Sequence, residues 1–351
     1  MKMLSKIFFS CTITTLFISL TLSAATLYVS ATQSGQYTTL SAAYTAAANG
    51  DTILIGPGTY GENIGLSKRL NWVGAGWDQT VCTGTFNFYT NASSSRFEGI
   101  KFEVDGVVIN ENAGADSVTI RRCWLIGTHW FYPTFYIEGH LFVEDCLIMN
   151  SNTNGYAVEI RSTASPIFRS CIFTSLTGSR CFARGESTGP LEIYNCIFLN
   201  YNRIFEVGGT QSVVAINNIF YDWAASPTFG TYPLYSWFDY NASQTIAAPG
   251  TNTISITSNP FVNYSESLNY QEGISNLHLV TGSGLIDTGY PSWIDLDLTR
   301  SDFGVYGGPR PLVDNGIPPY PWTVNMTITP SLISTETEVN ASAVGRIGPQ
   351  Y

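Results

Sequence analysis

Seven charged residues recur along the middle of the chain at a spacing that can bring them to one surface. Glu111, Glu159, Arg184 and Glu206 each stand twelve residues ahead of a recurrent cysteine or asparagine, and Glu138 is the nearest equivalent in a shorter repeat. Arg161 and Glu186 lie two residues beyond Glu159 and Arg184, on the same face of a strand. If the repeats stack at the ~4.8 Å spacing of paired strands, Glu159, Arg161, Arg184, Glu186 and Glu206 fall within roughly 15 Å of one another. Carboxylates so grouped can hold Ca2+ against an acidic sugar, and an arginine can neutralise that sugar. The competing reading is a face balanced in charge, where Arg184 separates Glu159 from Glu206 because stacked like charges repel. The balanced face is the reading adopted.

The elements that must position these residues show in a second pattern. Arg96–Phe102, Ile120–Ile126, Val143–Met149, Phe168–Thr174, Ile193–Leu199 and Ile216–Tyr221 share apolar pairs around a pivot: Gly99, Cys123, Cys146, Cys171, Cys196 and Asn218, spaced 22–25 residues apart. Repetition at this period marks a stacked-coil architecture. The strand-like alternation, broken by Asn, Ser and Gly, favours about three short strands per coil over a helical repeat. The spacing predicts an all-β, single-stranded parallel β-helix, with the four pivot cysteines stacked as small core fillers. Equivalent residues near the strand spacing suit neither a relaxed disulfide nor a tetrahedral metal site. Cys82 and Cys181 lie off the pivot, and their pairing is open.

Other groups with chemical potential are aromatic or acidic. One aromatic cluster spans Trp124–Tyr136 and another Trp223–Tyr240, the latter read as a long loop because Pro227 and Pro233 interrupt it. Trp130, Tyr132, Tyr232, Tyr235 and Trp237 are candidate sugar-stacking residues; the alternative adopted is a satellite core over the flank of the coil. Asp295, Asp297 and Asp302 are candidate cation ligands, against turn capping and pairing with Arg300. His129, His140 and His278 have no ligand spacing.

Two runs carry a family resemblance. Asp51-Thr-Ile-Leu-Ile-Gly-Pro-Gly-Thr-Tyr60 followed by Glu62-Asn-Ile64 resembles the first coil of pectin-lyase-like β-helix proteins, in which an Ala-rich helix, here Thr38–Ala48, plugs the open end. Asn259-Pro-Phe261, Gly282–Gly289 and Asp295–Gly307 resemble the closing segment of secreted members of that group, with Leu298 where Gly is usual. The resemblance covers most of residues 38–309 and implies the fold and export more strongly than an activity. No lysine follows Lys101, so the lysine base of some β-helix lyases is missing. The Asp-Asp pair of polygalacturonases and the Gly-x-x-Asp-Phe run of pectin methylesterases are absent too.

Residues 1–25 read as a secretory signal peptide, with Lys2 and Lys6 before an apolar run and Ser23-Ala24-Ala25 as the cleavage site. No other stretch is long and apolar enough to span a bilayer as a helix. The 351-residue chain carries a formal net charge of −10, and removing the leader makes it more acidic. That speaks against nucleic acid as a partner. The expected layout is a β-helix with its N-terminal helical cap over 26–309, a Pro-rich linker over 310–322, and a strand-like tail over 323–351. The tail either folds back along the solenoid or pairs with another copy's edge. The expected function is a secreted, non-catalytic protein of the cell exterior that binds glycans or assembles with itself through its tail. The rival is a lyase or hydrolase of uronate-containing polysaccharides, with Glu159–Glu206 as its site and Ca2+ as its cofactor.

Overall fold

The computed structural model describes residues 24–31, 36–112, 114–153, 155–161, 163–184, 189–207, 212–329 and 340–349, apart from the side chains of Arg184 and of 325–329. Most of the expected leader, and Glu186, lie outside the described residues.

Each coil gives one strand to each of three parallel sheets. Leu141–Glu144 joins the first sheet, Leu147–Asn150 the second and Tyr156–Ile160 the third. The sheets contain ten, ten and eight strands, all parallel within each sheet. The four cysteines stand in register on successive coils. Each thiol donates to the carbonyl two residues back, at 3.0–3.3 Å. Cys82 and Cys181 are also buried, and none of the six is bridged. Burial pushes the Cys82, Cys146, Cys181 and Cys196 thiols up, which makes them core residues rather than nucleophiles. Toward the C-terminus asparagine takes over the position. Asn218 Oδ1 accepts from Cys196 N at 2.8 Å, and Asn241 Oδ1 accepts from Asn218 N at 3.1 Å.

Gly99 departs from the expected register: it aligns with Arg122, so Ile100 is the partner of Cys123. The reason is conformational. Gly99, Arg122, Asp145, Ser170, Asn195, Asn217 and Tyr240 all turn the corner between the first and second sheets with φ between 48° and 70°. The glycine therefore belongs to the left-handed position and not to the pivot that follows it. The aromatic run 223–240 is a further coil, not an expelled loop. Thr228–Thr231 and Trp237–Asp239 extend the third and first sheets, and Phe229 and Phe238 enter the core.

Inside the coils, like stacks on like. Phe173, Phe198 and Phe220 stack with ring centroids 4.8 Å apart, the strand spacing itself. At the N-terminal end Leu40–Ala46 forms the expected helix and seats Leu40 and Ala43 in this core. Glu62 accepts from Leu40 N and Ser41 N, while Lys68 donates to the carbonyls of Tyr44, Thr45 and Ala47. A carboxylate at the helix start and an ammonium at its end match the helix dipole.

A second core lies outside the coils. Along the second sheet from Leu147 onward, residues on both sides of the strands are apolar: Ile148, Phe173 and Phe198 point inward, while Leu147, Ile172, Ile197 and Ile219 face outward. The returning chain covers them with Phe261, Tyr264, Leu277, Phe303 and Leu312. Consecutive apolar residues are what a strand buried on both faces requires. The corner side chains tie this chain down in reverse order. Asn217 donates to Ser301 Oγ at 3.2 Å and to Asp302 O at 2.6 Å, and accepts from Tyr290 N at 2.9 Å. Asn195 Nδ2 donates to Gly304 O, Ser170 Oγ to Arg310 O, and Arg122 to the carbonyls of Ile317 and Pro349.

The described part of the tail folds back. Trp322–Thr329 and Asn340–Arg346 form an antiparallel hairpin whose Trp322 packs on Val73 and Ala75. Arg346 donates to Ala75 O and pairs with Asp78. Because Asn217 is fully buried and its side chain bonds to Ser301, Asp302 and Tyr290 of the returning chain, Asn217→Ala should lower stability by about 2–3 kcal/mol. Ser170→Ala, which removes one bond, should cost about 1 kcal/mol or less. Urea unfolding of both variants checks the ranking.

Candidate functional site

The charged residues expected at one site gather on the outer surface of the third sheet, but in a different register. Asn110, Tyr136, Glu159, Ala183 and Glu206 occupy one file. Arg184 is displaced by one residue and pairs in register with Ile160, so it does not separate Glu159 from Glu206. The coil containing Ala183 has one more residue before its next corner, thirteen to Cys196 against twelve from Glu159 to Cys171. Counting back from the cysteines therefore slips there. The same slip affects Glu111, which aligns with Ile137 and points into the core.

The outward charges pair locally, with arginines in excess. Arg161 pairs with Glu159 at 2.6 Å and lies 4.2 Å from the centre of the Tyr136 ring. Arg180 and Arg203, in register on neighbouring coils, both reach Glu206, at 3.3 and 2.8 Å. Arg180 also sits over Tyr156, 5.3 Å from the ring centre. Burial, with the Glu159 carboxylate next, pushes the Tyr136 phenol up. The sequence reading missed Arg180, Arg203, Tyr136 and Tyr156. The signal was available: Arg180 and Arg203 are 23 residues apart, one coil.

The aromatic candidates divide. Trp130 and Tyr132 are exposed, together with Phe131, on the connection from Trp124–Gly127 to Phe135–Ile137. Their rings touch, with Trp130–Phe131 centroids at 5.7 Å and Phe131–Tyr132 at 5.9 Å. The backbone beneath is fixed. His129 Nδ1 accepts from Phe131 N and Tyr132 N, both at 3.1 Å, and buried Asn152 donates to the carbonyls of both residues. Tyr132 lies close enough to Tyr136 to bear on its ionisation, which joins this platform to the charged face. Tyr235 and Trp237 are exposed as well. Tyr232 is not part of such a surface, because it packs against Phe205 and Phe238 at the end of the core.

The acidic cluster holds its own backbone. Asp295 accepts from Asp302 N and Gly308 N, Asp302 from Asp287 N, and Asp297 from Thr299. Burial pushes the Asp302 carboxyl up to about 6. Arg300 does not pair with these aspartates among the described contacts; its Nε donates to Gly289 O at 2.6 Å and the guanidinium covers Tyr240. Among the described residues no three His, Cys, Asp or Glu side chains are arranged to hold a metal ion. Leu298, the residue that departs from the usual glycine, has φ of 72° and an exposed side chain.

No protein-family model and no curated protein matches this sequence. Among solved structures, the pectate lyase Pel9A superimposes with a TM-score of 0.50 at 14% identity, over 80% of this chain and 96% of that one. A pectin methylesterase from carrot aligns at 17% identity with a TM-score of 0.46, over 66% of this chain and 88% of its own. The fold is thus the right-handed parallel β-helix of pectin-lyase-like proteins.

Glu111 is buried, with Oε2 accepting from Gly139 N and Oε1 without a partner, and burial pushes its carboxyl from 4.5 up to about 8. Between those values the unfolded chain ionises while the folded protein keeps the proton. The contribution of this group to stability is therefore present at low pH and lost as pH rises through about 8. Glu111→Gln should remove that decline, seen as wild-type and variant melting temperatures that diverge from pH 5 to about pH 8. Leu298→Gly should stabilise by about 0.5–1 kcal/mol, because a left-handed leucine is strained and glycine is not; calorimetry reads it directly.

Proposed function

We propose that this chain is a non-catalytic glycan-binding protein of the cell exterior, with Trp130, Phe131 and Tyr132 as its contact surface. The observation that carries the reading is a rigid platform of three exposed, touching rings whose backbone is clamped by His129 and Asn152. Aromatic faces bind the apolar faces of sugar rings, and a platform ordered before binding loses little entropy on contact. Tyr136 and Arg161 adjoin it and offer a hydroxyl and a cation to sugar substituents.

The charged face supports binding over turnover. Glu159 and Glu206 are both engaged by arginines, and Arg180 and Arg203 are engaged by Glu206. A general base needs an open path to the proton it removes. In a panel of immobilised polysaccharides, Trp130→Ala should weaken retention of the bound glycan about tenfold or more, while Tyr89→Ala, at an exposed ring outside the platform, should leave it unchanged. Incubation with alginate, pectate or chondroitin and Ca2+ should release no unsaturated products by ultraviolet absorbance. Release that disappears in Arg180→Ala would replace the proposal with a lyase.

A further inference from the structure

A second surface lies on the first sheet, against the returning chain. Here a groove of about 330 Å3 is walled by Arg169, Ser170, Asn195, Trp293, Gly308 and Arg310. That volume falls at the lower end of the range for small-ligand pockets, about 300–1,000 Å3, and suits one or two sugar rings. The two arginines come from distant parts of the chain and converge on one carboxylate: Arg169 meets Glu144 Oε1 at 3.3 Å and Arg310 meets Glu144 Oε2 at 3.5 Å. Two guanidinium groups against one carboxylate leave the wall positive.

The charge beneath has the same sign. The ladder leading to the corner reads Glu98, Arg121, Glu144, Arg169 on successive coils. With Arg96, Arg122, Asp145 and Arg310, the ion pairs among the described residues set five arginines against three carboxylates. Asp295, which accepts from Gly308 N of the groove wall, adds a fourth carboxylate, so arginines remain in excess here on a chain whose formal net charge is −10. Glu192, the next acid on this face, accepts from the Tyr194 hydroxyl at 2.7 Å and lies two residues farther from the corner. The far wall is aromatic. Trp293 contacts Tyr194 at 5.7 Å and Tyr290 at 5.2 Å, and Tyr290 continues to Tyr240 and Trp237. From Trp237 to Arg169 the band crosses three coil steps, or roughly 15 Å.

We propose that this groove binds an acidic sugar residue, with its carboxylate or sulfate ester held by Arg169 and Arg310 and its ring against Trp293. Planar guanidinium groups suit either oxyanion. The site uses residues separate from the Trp130 platform and holds whether or not that platform binds.

The test titrates the full chain, at about 50 mM salt, with a uronic acid disaccharide, a sulfated disaccharide and a neutral disaccharide, followed by calorimetry. At least one acidic disaccharide should bind, with the neutral one about tenfold weaker or worse, and affinity should fall as salt rises. The preference between the two acidic probes identifies the anion. Arg169→Gln combined with Arg310→Gln should weaken binding tenfold or more. Arg310→Lys should restore part of it relative to Arg310→Gln. Equal affinity for the neutral sugar, affinity indifferent to salt, or unchanged affinity in a folded double variant would each overturn the assignment, as would no binding of either acidic probe at about 10 mM. Should the double variant unfold, the salt series and the lysine variant still decide.

Discussion

The corner between the first and second sheets governs this molecule. Each coil must bend sharply there without breaking the ladder to its neighbours. One residue takes a left-handed conformation, which costs a non-glycine residue about 1–2 kcal/mol. The next residue turns a small side chain inward. Its thiol donates to the carbonyl two residues back, and an asparagine in the same place accepts from the N–H one coil below. These bonds keep the bend satisfied inside a dry core, where an unpaired peptide group would be expensive. Cysteine and, on later coils, asparagine fill this role because both are short and both make hydrogen bonds.

The same corners determine what covers the solenoid. Their outward side chains, Arg122, Ser170, Asn195 and Asn217, are those that grip the returning chain. That chain buries the outer face of the second sheet and leaves the outer faces of the first and third partly open to solvent. Two outer faces of the coils thereby stay accessible to solvent. On the third sheet the charges are paired locally and aromatic rings stand at the edge. On the first sheet the covering chain itself brings Trp293 and Arg310, so that groove exists only once the chain has folded back.

Much of this was legible in the order of residues. The repeat of about two dozen residues, the cysteine file and the first helix depend on neighbours within one coil or the next, whereas Trp130 and Tyr132, expected in a satellite core, stand exposed. The charged file was only half legible. Glu159 and Arg161 meet because two residues in a strand share a face, but Arg184 lost its place through one extra residue in a connection. A strand exposes opposite faces at alternate positions, so a single insertion exchanges outward for inward. Glu111 entered the core by the same slip. The run 223–240 looked like a loop because its prolines masked a repeat whose spacing is unbroken.

The sequence by itself determined the coil: its length, its three short strands and the small residue at each pivot. Those properties are encoded by contacts between one coil and the next. What lies over each outer face was settled only by the tertiary structure. Asn217 meets Asp302 across 85 residues, and Arg122 meets Ile317 across 195. An apolar outer strand announces that it will be covered, but not by which segment, because burial is non-directional and the hydrogen bonds that select the partner form only when distant backbone arrives at the corner.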